Sequence, residues 1–330
     1  MSEMVKMHAI QAINSALHQA MGADDKVLVL GEDVADKEGG GIVGITAGLS
    51  QKFGTERVKS TPISEQAIIG AAIGAAMAGY KPVAEIMMMN FTAVAMDMIV
   101  NHAAKLRFMS GGQTSVPIVI RTMTGAGWQT AGQHSDFLEG WFAHVAGIKV
   151  VCPAFPADYK GLMLACIDDP DPCIFIEGGG TFFVPHDVAE DQGPIPLGKA
   201  KVLQEGDDVT IVTWSSQSVR AMAAAPEIAE AGISAEIIDL RTISPWDKEC
   251  VLKSVAKTGR LLVAHEASRN FGPGGEIAAT VSEELFGKLK APVRRLGGPT
   301  CAVPFAKNLE TAFIVQPADM VEAVKELMAK

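Results

Sequence analysis

Thr61-Pro-Ile-Ser-Glu65 runs straight into Gln66-Ala-Ile-Ile-Gly-Ala-Ala-Ile-Gly-Ala-Ala-Met-Ala-Gly79. A proline-led turn therefore delivers one carboxylate to the mouth of a helix made almost wholly of Ala, Gly, Ile and Met. Ser64 stands at the N-cap position and Glu65 falls in the first turn, where negative charge suits the helix dipole. The helix has no polar face, which predicts burial on every side. Its small residues, Gly70 and Gly74 among them, would let other backbones come close. Two uses of Glu65 stay open at this level. It can serve the dipole of a capped core helix. It can also sit at the edge of a dry site, where burial disfavours the charged form and makes the group a proton carrier.

Strand patterns flank this unit on both sides. Lys26-Val-Leu-Val-Leu-Gly31 is an unbroken apolar run ending on Glu32-Asp33. Acidic groups at the carboxyl end of a buried parallel strand lie where α/β sheets place ligand chemistry, although a solvated loop reads the same way. Downstream come a strand at 81–87, an apolar continuation to Phe91, and helical spacing from Thr92 to Phe108. Further strands are expected at 116–121, 149–153 and 173–177, and helices at 7–21, 135–144 and 157–167. Glycines are too frequent between Met123 and His134 for a helix. The cluster Gly39-Gly-Gly41 lacks GxGxxG or Walker spacing and reads as a mobile loop.

The alternation predicts an α/β fold with a parallel sheet covered on both faces. From Gly178 to about Ala200 the rhythm lapses among glycines and prolines. Residues 1–180 are thus expected to form one domain, 181–200 a linker and 201–330 a second α/β domain. In the second, strands at 208–213, 235–239, 260–264 and 292–296 alternate with helices at 216–231, 247–256, 275–285 and 317–328.

A chain of 330 residues, 48% hydrophobic and 20% charged, is long and apolar enough for two sizeable cores. A net charge of −10 argues against a nucleic-acid binder, which needs a basic face. Five cysteines without CxxC or His spacing read as reduced thiols, not disulfides or a zinc site. Met1-Ser-Glu-Met-Val-Lys6 has no signal pattern, so the expected location is cytoplasmic. The apolar helix approaches the length of a membrane span, but Glu65 and Lys81 bound it and strands flank it. A buried helix is the better reading.

The ordinary catalytic motifs are missing: no GxSxG elbow, no HExxH, no Walker loop, no dinucleotide fingerprint. Glu65, a loop His134 and an acidic strand end do not define a reaction, so a cofactor would have to carry the difficult step. Read in order, however, Gly31-Glu-Asp-Val34, Thr61–Glu65, Asn90-Phe91, Gly132-Gln-His-Ser135, Gly147–Val151, Lys160-Gly-Leu162, Asp239–Pro245 and Pro304-Phe-Ala306 form a pattern. The chain resembles the β subunit of the thiamine-diphosphate-dependent first component of 2-oxo-acid dehydrogenase complexes, of the pyruvate, branched-chain or acetoin type.

The resemblance implies a pyrimidine-binding domain followed by a transketolase C-terminal-like domain. Glu65 would hydrogen-bond N1′ of the cofactor aminopyrimidine and share a proton with it, favouring the imino tautomer. Phe91 would pack on the ring, with Met87 and the backbone at Ile63 completing the wall, though plain core packing serves Phe91 and Met87 equally well. His134 would lie near the reacting carbon and assist acyl transfer to a lipoyl group. Glu32 would lie near the cofactor, facing an acidic channel between paired sites.

The Gly-Asp-Gly motif that holds Mg2+ and diphosphate in thiamine enzymes is missing, and Gly206-Asp-Asp208 lacks its third Gly. An α partner would supply it, in an assembly of two α and two β chains that serves a lipoyl acyltransferase core. Cys166–Asp171 corresponds to a loop that binds K+ in some relatives. Asp169 and Asp171 would suit such an ion, as would a simple capped turn. The apolar Met87–Phe91 stretch, Val94 and Trp128-Gln129 point to a larger or less polar pocket than one for pyruvate. A split transketolase-like, ketol-transferring enzyme and a non-catalytic scaffold of the same fold are the competing readings.

Overall fold

Over most of the chain the apolar runs become strands and the helical patterns become helices. The structure is a computed structural model that describes residues 3–330. Its first part comprises β1 (Met4–Met7), α1 (Ala9–Ala23), β2 (Val27–Gly31), α2 (Leu49–Phe53), β3 (Val58–Ser60) and α3 (Glu65–Met77). It continues with β4 (Lys81–Met88), α4 (Leu106–Met109), β5 (Val119–Thr124), α5 (Glu139–Ala143), β6 (Lys149–Val151), α6 (Pro156–Asp168), β7 (Cys173–Gly178) and β8 (His186–Ala189). The second part opens with β9 (Lys201–Gln204), β10 (Val209–Thr213), α7 (Ser216–Glu230), β11 (Ala235–Asp239), β12 (Thr242–Ser244) and α8 (Lys248–Thr258). It closes with β13 (Leu261–Ser268), α9 (Gly274–Glu284), β14 (Arg294–Gly298), α10 (Lys307–Phe313) and α11 (Pro317–Met328).

The larger sheet has the order β12-β6-β7-β5-β4-β2-β3, all parallel except β12. The smaller one is β14-β13-β10-β11-β9, with only β9 antiparallel. Strands β7, β10 and β11 are buried along their whole length, as expected of parallel strands covered on both faces. Helices α1 and α6 pack on each other over one face of the larger sheet, and α3 packs on β4 from the other. Local signals set several helix ends. Asp247 caps α8 through the Cys250 N–H (3.1 Å), and Gly259 closes it in the left-handed region. Among the described residues no helix is long and apolar enough to cross a membrane.

The two sheets share one buried core. Phe137, Phe142, Ile148 and Cys152 from the first part pack with Trp214, Ile238 and Leu240 from the second. Strand β12 crosses over to pair with β6, adding a seventh strand to the first sheet. The stretch 181–200 holds β8, which pairs antiparallel with β1 from Met4↔Ala189 to Met7↔His186. That ladder ties the stretch to the first part.

Four expectations need correction. Helix α3 is not buried on every side: Ile68, Ile69, Ala72, Ile73 and Ala76 face the core, while Ala67, Ala71, Gly74 and Ala78 lie open. The reason is geometric, since β4 and the segment after it cover only one stripe of the cylinder. Thr92–Phe108 is not one helix but a tight 3-10 segment at 89–95, a wide π turn at 98–103 and the short α4. The Thr92 hydroxyl donates back to the Met89 carbonyl (2.5 Å) and tightens the opening turn. Residues 135–138 are irregular, held by side-chain bonds to Asn90 and Thr124, so the helix there shrinks to α5. The glycine loop 39–48 is laced rather than loose. Gly41 N–H donates to the Asp33 carbonyl (2.8 Å), and the Asp36 carboxylate collects Gly48 N–H, the Ser50 hydroxyl and Gln51 N–H.

Candidate active site

Strand β2 pairs with β3 on one side and β4 on the other, so the chain reverses direction across the sheet there. Such a switch point opens a crevice at the carboxyl ends of its strands. Glu32 follows directly on β2. Thr61 N–H bonds to the Gly31 carbonyl (2.8 Å), which turns the chain after β3 across that end and sets Glu65 at the start of α3. Met87 lies at the end of β4 with Asn90 and Phe91 just beyond, and the loop after β5 carries His134. Four adjacent strand ends thus carry every residue the sequence offered for cofactor or catalysis. Gly31 makes this close approach possible, since a Cβ there would lie 2.9 Å from the Glu85 carbonyl.

The ring of Phe91 meets that of His134 edge to face, with centroids 5.2 Å apart. Asn90 fixes the pair. Its amide donates to the Asp136 carboxylate (2.8 Å) and the Gly132 carbonyl (3.3 Å), and its oxygen accepts from Asp136 N–H (3.2 Å). Ile63 is 82% exposed, an apolar side chain left open above the crevice. Ser64 occupies the N-cap position but makes no side-chain cap bond. Glu65, Glu32, Met87 and Phe91 are half-buried. An open apolar wall with a carboxylate at its edge suits a flat heteroaromatic ring with a basic nitrogen, which is the chemistry of an aminopyrimidine.

Burial raises the Glu32 carboxyl above its ordinary range, and the negative charges of Glu65, Asp33 and Glu85 push it the same way. Glu32 and Glu65 therefore share one acidic field. Glu85 extends that field inward, where buried Arg121 balances it (2.6 Å) and also grips Glu177 (2.7 and 3.0 Å). Sequence reasoning passed over Arg121, Glu85 and Glu177. Glu85 and Arg121 pair directly across β4 and β5, and Glu177 lies on β7 two residues past the position opposite Arg121, so charges within otherwise apolar central strands were the available signal.

Asp169 and Asp171 do come together, but with cations. Lys149 Nζ lies 2.6 and 3.1 Å from their carboxylates, and Arg107 bonds Asp171 (2.6 Å). The carboxylates read as K+ ligands are thus paired with cations of the chain itself. Among the described residues no group of three or more His, Cys, Asp or Glu could hold a metal ion. Trp128 stacks on Phe183 and meets Phe182 edge-on, which gives its ring partners away from His134.

Residues 5–193 match the family "Transketolase, pyrimidine binding domain" and residues 198–320 match "Transketolase, C-terminal domain". The acetoin:2,6-dichlorophenolindophenol oxidoreductase subunit β of Cupriavidus necator is 44% identical over 325 residues, 96% of each chain. The pyruvate dehydrogenase E1 component subunit β of Rickettsia bellii is 44% identical over 317 residues, 96% of this chain and 97% of that one. In fold, a split-gene transketolase, described as an inactive β4 tetramer, superposes with a TM-score of 0.79 at 23% identity, covering 98% of both chains. The chain therefore belongs to the family of first-component β subunits of pyruvate and acetoin dehydrogenases, with a transketolase-type pyrimidine-binding domain ahead of a transketolase C-terminal domain.

Proposed function

We propose that this chain is the β subunit of a heteromeric thiamine-diphosphate-dependent 2-oxo-acid or acetoin dehydrogenase. The enzyme decarboxylates or cleaves its substrate and passes the acyl group to a lipoyl carrier. The observation that carries this reading is the convergence of Glu65, Glu32, Phe91 and His134 on adjacent strand ends at the switch point.

Thiamine diphosphate, when bound, supplies the nucleophilic carbon and the electron sink for cleavage beside the substrate carbonyl. Glu65 holds a proton at the pyrimidine N1′ and so sets the tautomer of that ring. Phe91, Met87 and the Ile63 turn form the apolar wall that orients it and excludes water. Glu32, its own carboxyl held above the ordinary range by burial and the charge of Glu65, lines the crevice beside Glu65. His134, steadied by Phe91 and the Asn90 clasp, presents an imidazole for proton traffic during acyl transfer. Since the sequence has no Gly-Asp-Gly, an α partner holds the diphosphate and Mg2+, in an assembly of two α and two β chains. The open face of α3 supports a site shared between subunits.

The test is to assay decarboxylation with an artificial electron acceptor, for the chain alone and with its α partner. Activity only in the assembly is expected, and full activity of the isolated chain overturns the shared site. Turnover of sugar phosphates in place of 2-oxo acids would favour ketol transfer. In the assembly Glu65→Gln should lower kcat by roughly 100-fold or more, the lower end of the usual general acid–base contribution and above. Unchanged turnover would leave a scaffold.

A further inference from the structure

The segment that carries His134 is held in a conformation it would not adopt by itself. Between Gly125 and Ala131 four residues lie in the left-handed region: Gly125 (φ 120°), Gly127 (φ 119°), Gln129 (φ 56°) and Ala131 (φ 59°). Two of these carry a Cβ, and such backbone persists only where surrounding structure over-determines it. The turning backbone aims three N–H groups at the second domain. Ala126 N–H donates to Glu266 Oε1 (2.7 Å), while Gly127 and Gln129 N–H both donate to Glu310 Oε1 (2.7 and 3.0 Å).

Both acceptors are deeply buried: Glu310 is 0% exposed and Glu266 6%. Hydrogen bonds from backbone N–H to a buried carboxylate are charge-assisted and strong, and successive N–H groups in such turns form natural anion-binding concavities. Here the accepting carboxyl oxygens are supplied from within the chain, across the domain boundary, and burial raises the Glu266 carboxyl above its ordinary range. The Ser216 hydroxyl donates to the other oxygen of Glu266. Glu310 Oε2 has no hydrogen-bond partner among the described residues, so the hydrogen bonds of this side chain go to the loop. Ala126 joins Val303, Phe313 and Ile314 in a small apolar cluster beneath these bonds, and Gly132 lies against Ala302. Beyond His134 the clasp of Asn90 on Gly132 and Asp136 fixes the other end.

We infer that Glu310, with Glu266 beside it, is a positioning residue for His134: a buried carboxylate of the second domain that holds the histidine loop of the first in its working conformation. The inference deepens the functional reading above and rests on it for the role of His134, not for the clamp itself. A misplacement of about 1 Å in a catalytic group can cost roughly 100-fold in rate.

The experiment has two arms. In the full chain, amide hydrogen exchange is followed at Ala126, Gly127 and Gln129 for wild type, Glu310→Ala and the isosteric Glu310→Gln. In the enzyme assembled with its α partner, kcat and KM are measured for these variants, for His134→Ala and for the Glu310→Ala/His134→Ala double variant. Glu310→Ala should speed exchange at these amides by about tenfold or more. It should also lower kcat by roughly 10- to 100-fold with KM nearly unchanged. Glu310→Gln, which keeps the volume and one acceptor oxygen, should recover part of both. The losses from Glu310→Ala and His134→Ala should overlap instead of multiplying. Unchanged exchange, or fully multiplicative losses, overturns the inference. If the wild-type assembly has no 2-oxo-acid or acetoin activity, the functional reading fails while the exchange arm still decides whether Glu310 holds the loop. If Glu310→Ala does not fold, Glu310→Gln carries both arms.

Discussion

Arg121 is a charge enclosed within the larger sheet, with 1% of its surface exposed. It rises from β5, while its partners Glu85 and Glu177 come from β4 and β7 on either side. One guanidinium thereby ties three parallel strands, two of which carry the site at their ends. Arg121→Met keeps much of the stem volume and leaves two carboxylates buried without a counter-charge. Breaking a buried pair in this way costs about 3–5 kcal/mol. For a unit of this size that corresponds to a fall of roughly 6–20 °C in melting temperature.

The loss should depend on pH. Burial already raises Glu177, against the opposing pull of Arg121. Without the arginine, the Glu177 carboxyl holds its proton to higher pH in the folded chain than in the unfolded one. A raised carboxyl pKa means that the folded state binds more protons, so stability is retained at low pH and lost as pH rises. Each pH unit in that window is worth about 1.4 kcal/mol per carboxyl. Thermal unfolding at about pH 5.5 and about pH 8 should therefore show the larger deficit at the higher pH. Arg121→Met/Glu177→Gln should recover much of it. Equal deficits at both pH values, or a fall of less than about 2 °C, would refute the reasoning.

Three further outcomes are expected. Asn90→Ala removes the clasp on Gly132 and Asp136 and should lower kcat of the assembled enzyme by roughly tenfold or more while leaving its melting temperature within a few degrees, and wild-type turnover would count against the clasp. Burial pushes Glu139 up to about 8, so its folded form keeps a proton through neutral pH and its contribution to stability is lost as pH rises toward that value. Glu139→Gln keeps the acceptor for Trp214 Nε1 and should gain on the order of 3–5 kcal/mol by about pH 8 and little at about pH 4.5, so a gain independent of pH would contradict this assignment. Ala71→Glu lies on the open stripe of α3, so it should leave the isolated chain folded, by circular dichroism, yet abolish co-purification with the partner subunit.

Central strands could be read almost to the residue because burial on both faces leaves a continuous apolar signature, as in Ala235–Asp239 and Cys173–Gly178. The elements that escaped owe their existence to partners remote in sequence. Strands β1 and β8 are partly exposed and pair across some 180 residues, and β12 is three residues long and leaves its own domain to reach β6. The periodic stretch Thr92–Phe108 misled for a related reason. Apolar spacing records which side faces the core, but not that hydrogen bonds at Thr92 would tighten one turn while the next widened.

The candidate site divides along the same line. Phe91 entered only through the family resemblance, but Glu32, Glu65 and His134 could be found because each sits in a short string whose composition is odd for plain structure: an acid after an apolar strand, a carboxylate heading an apolar helix, a histidine among glycines. Glu266 and Glu310 could not, since they meet their loop from 140 and 183 residues away and look locally like an ordinary strand and an ordinary helix. Helix α3 lies between these cases. Its sequence demands burial all round, and the folded chain grants it on one stripe only. The unmet demand falls on the helix whose first residue is Glu65, beside the open Ile63. A surface that covers the bare stripe would also wall in the carboxylate, so the same contact that satisfies the helix would dry the site. On the functional reading proposed above, assembly and catalytic competence would then be one event seen from two sides of α3.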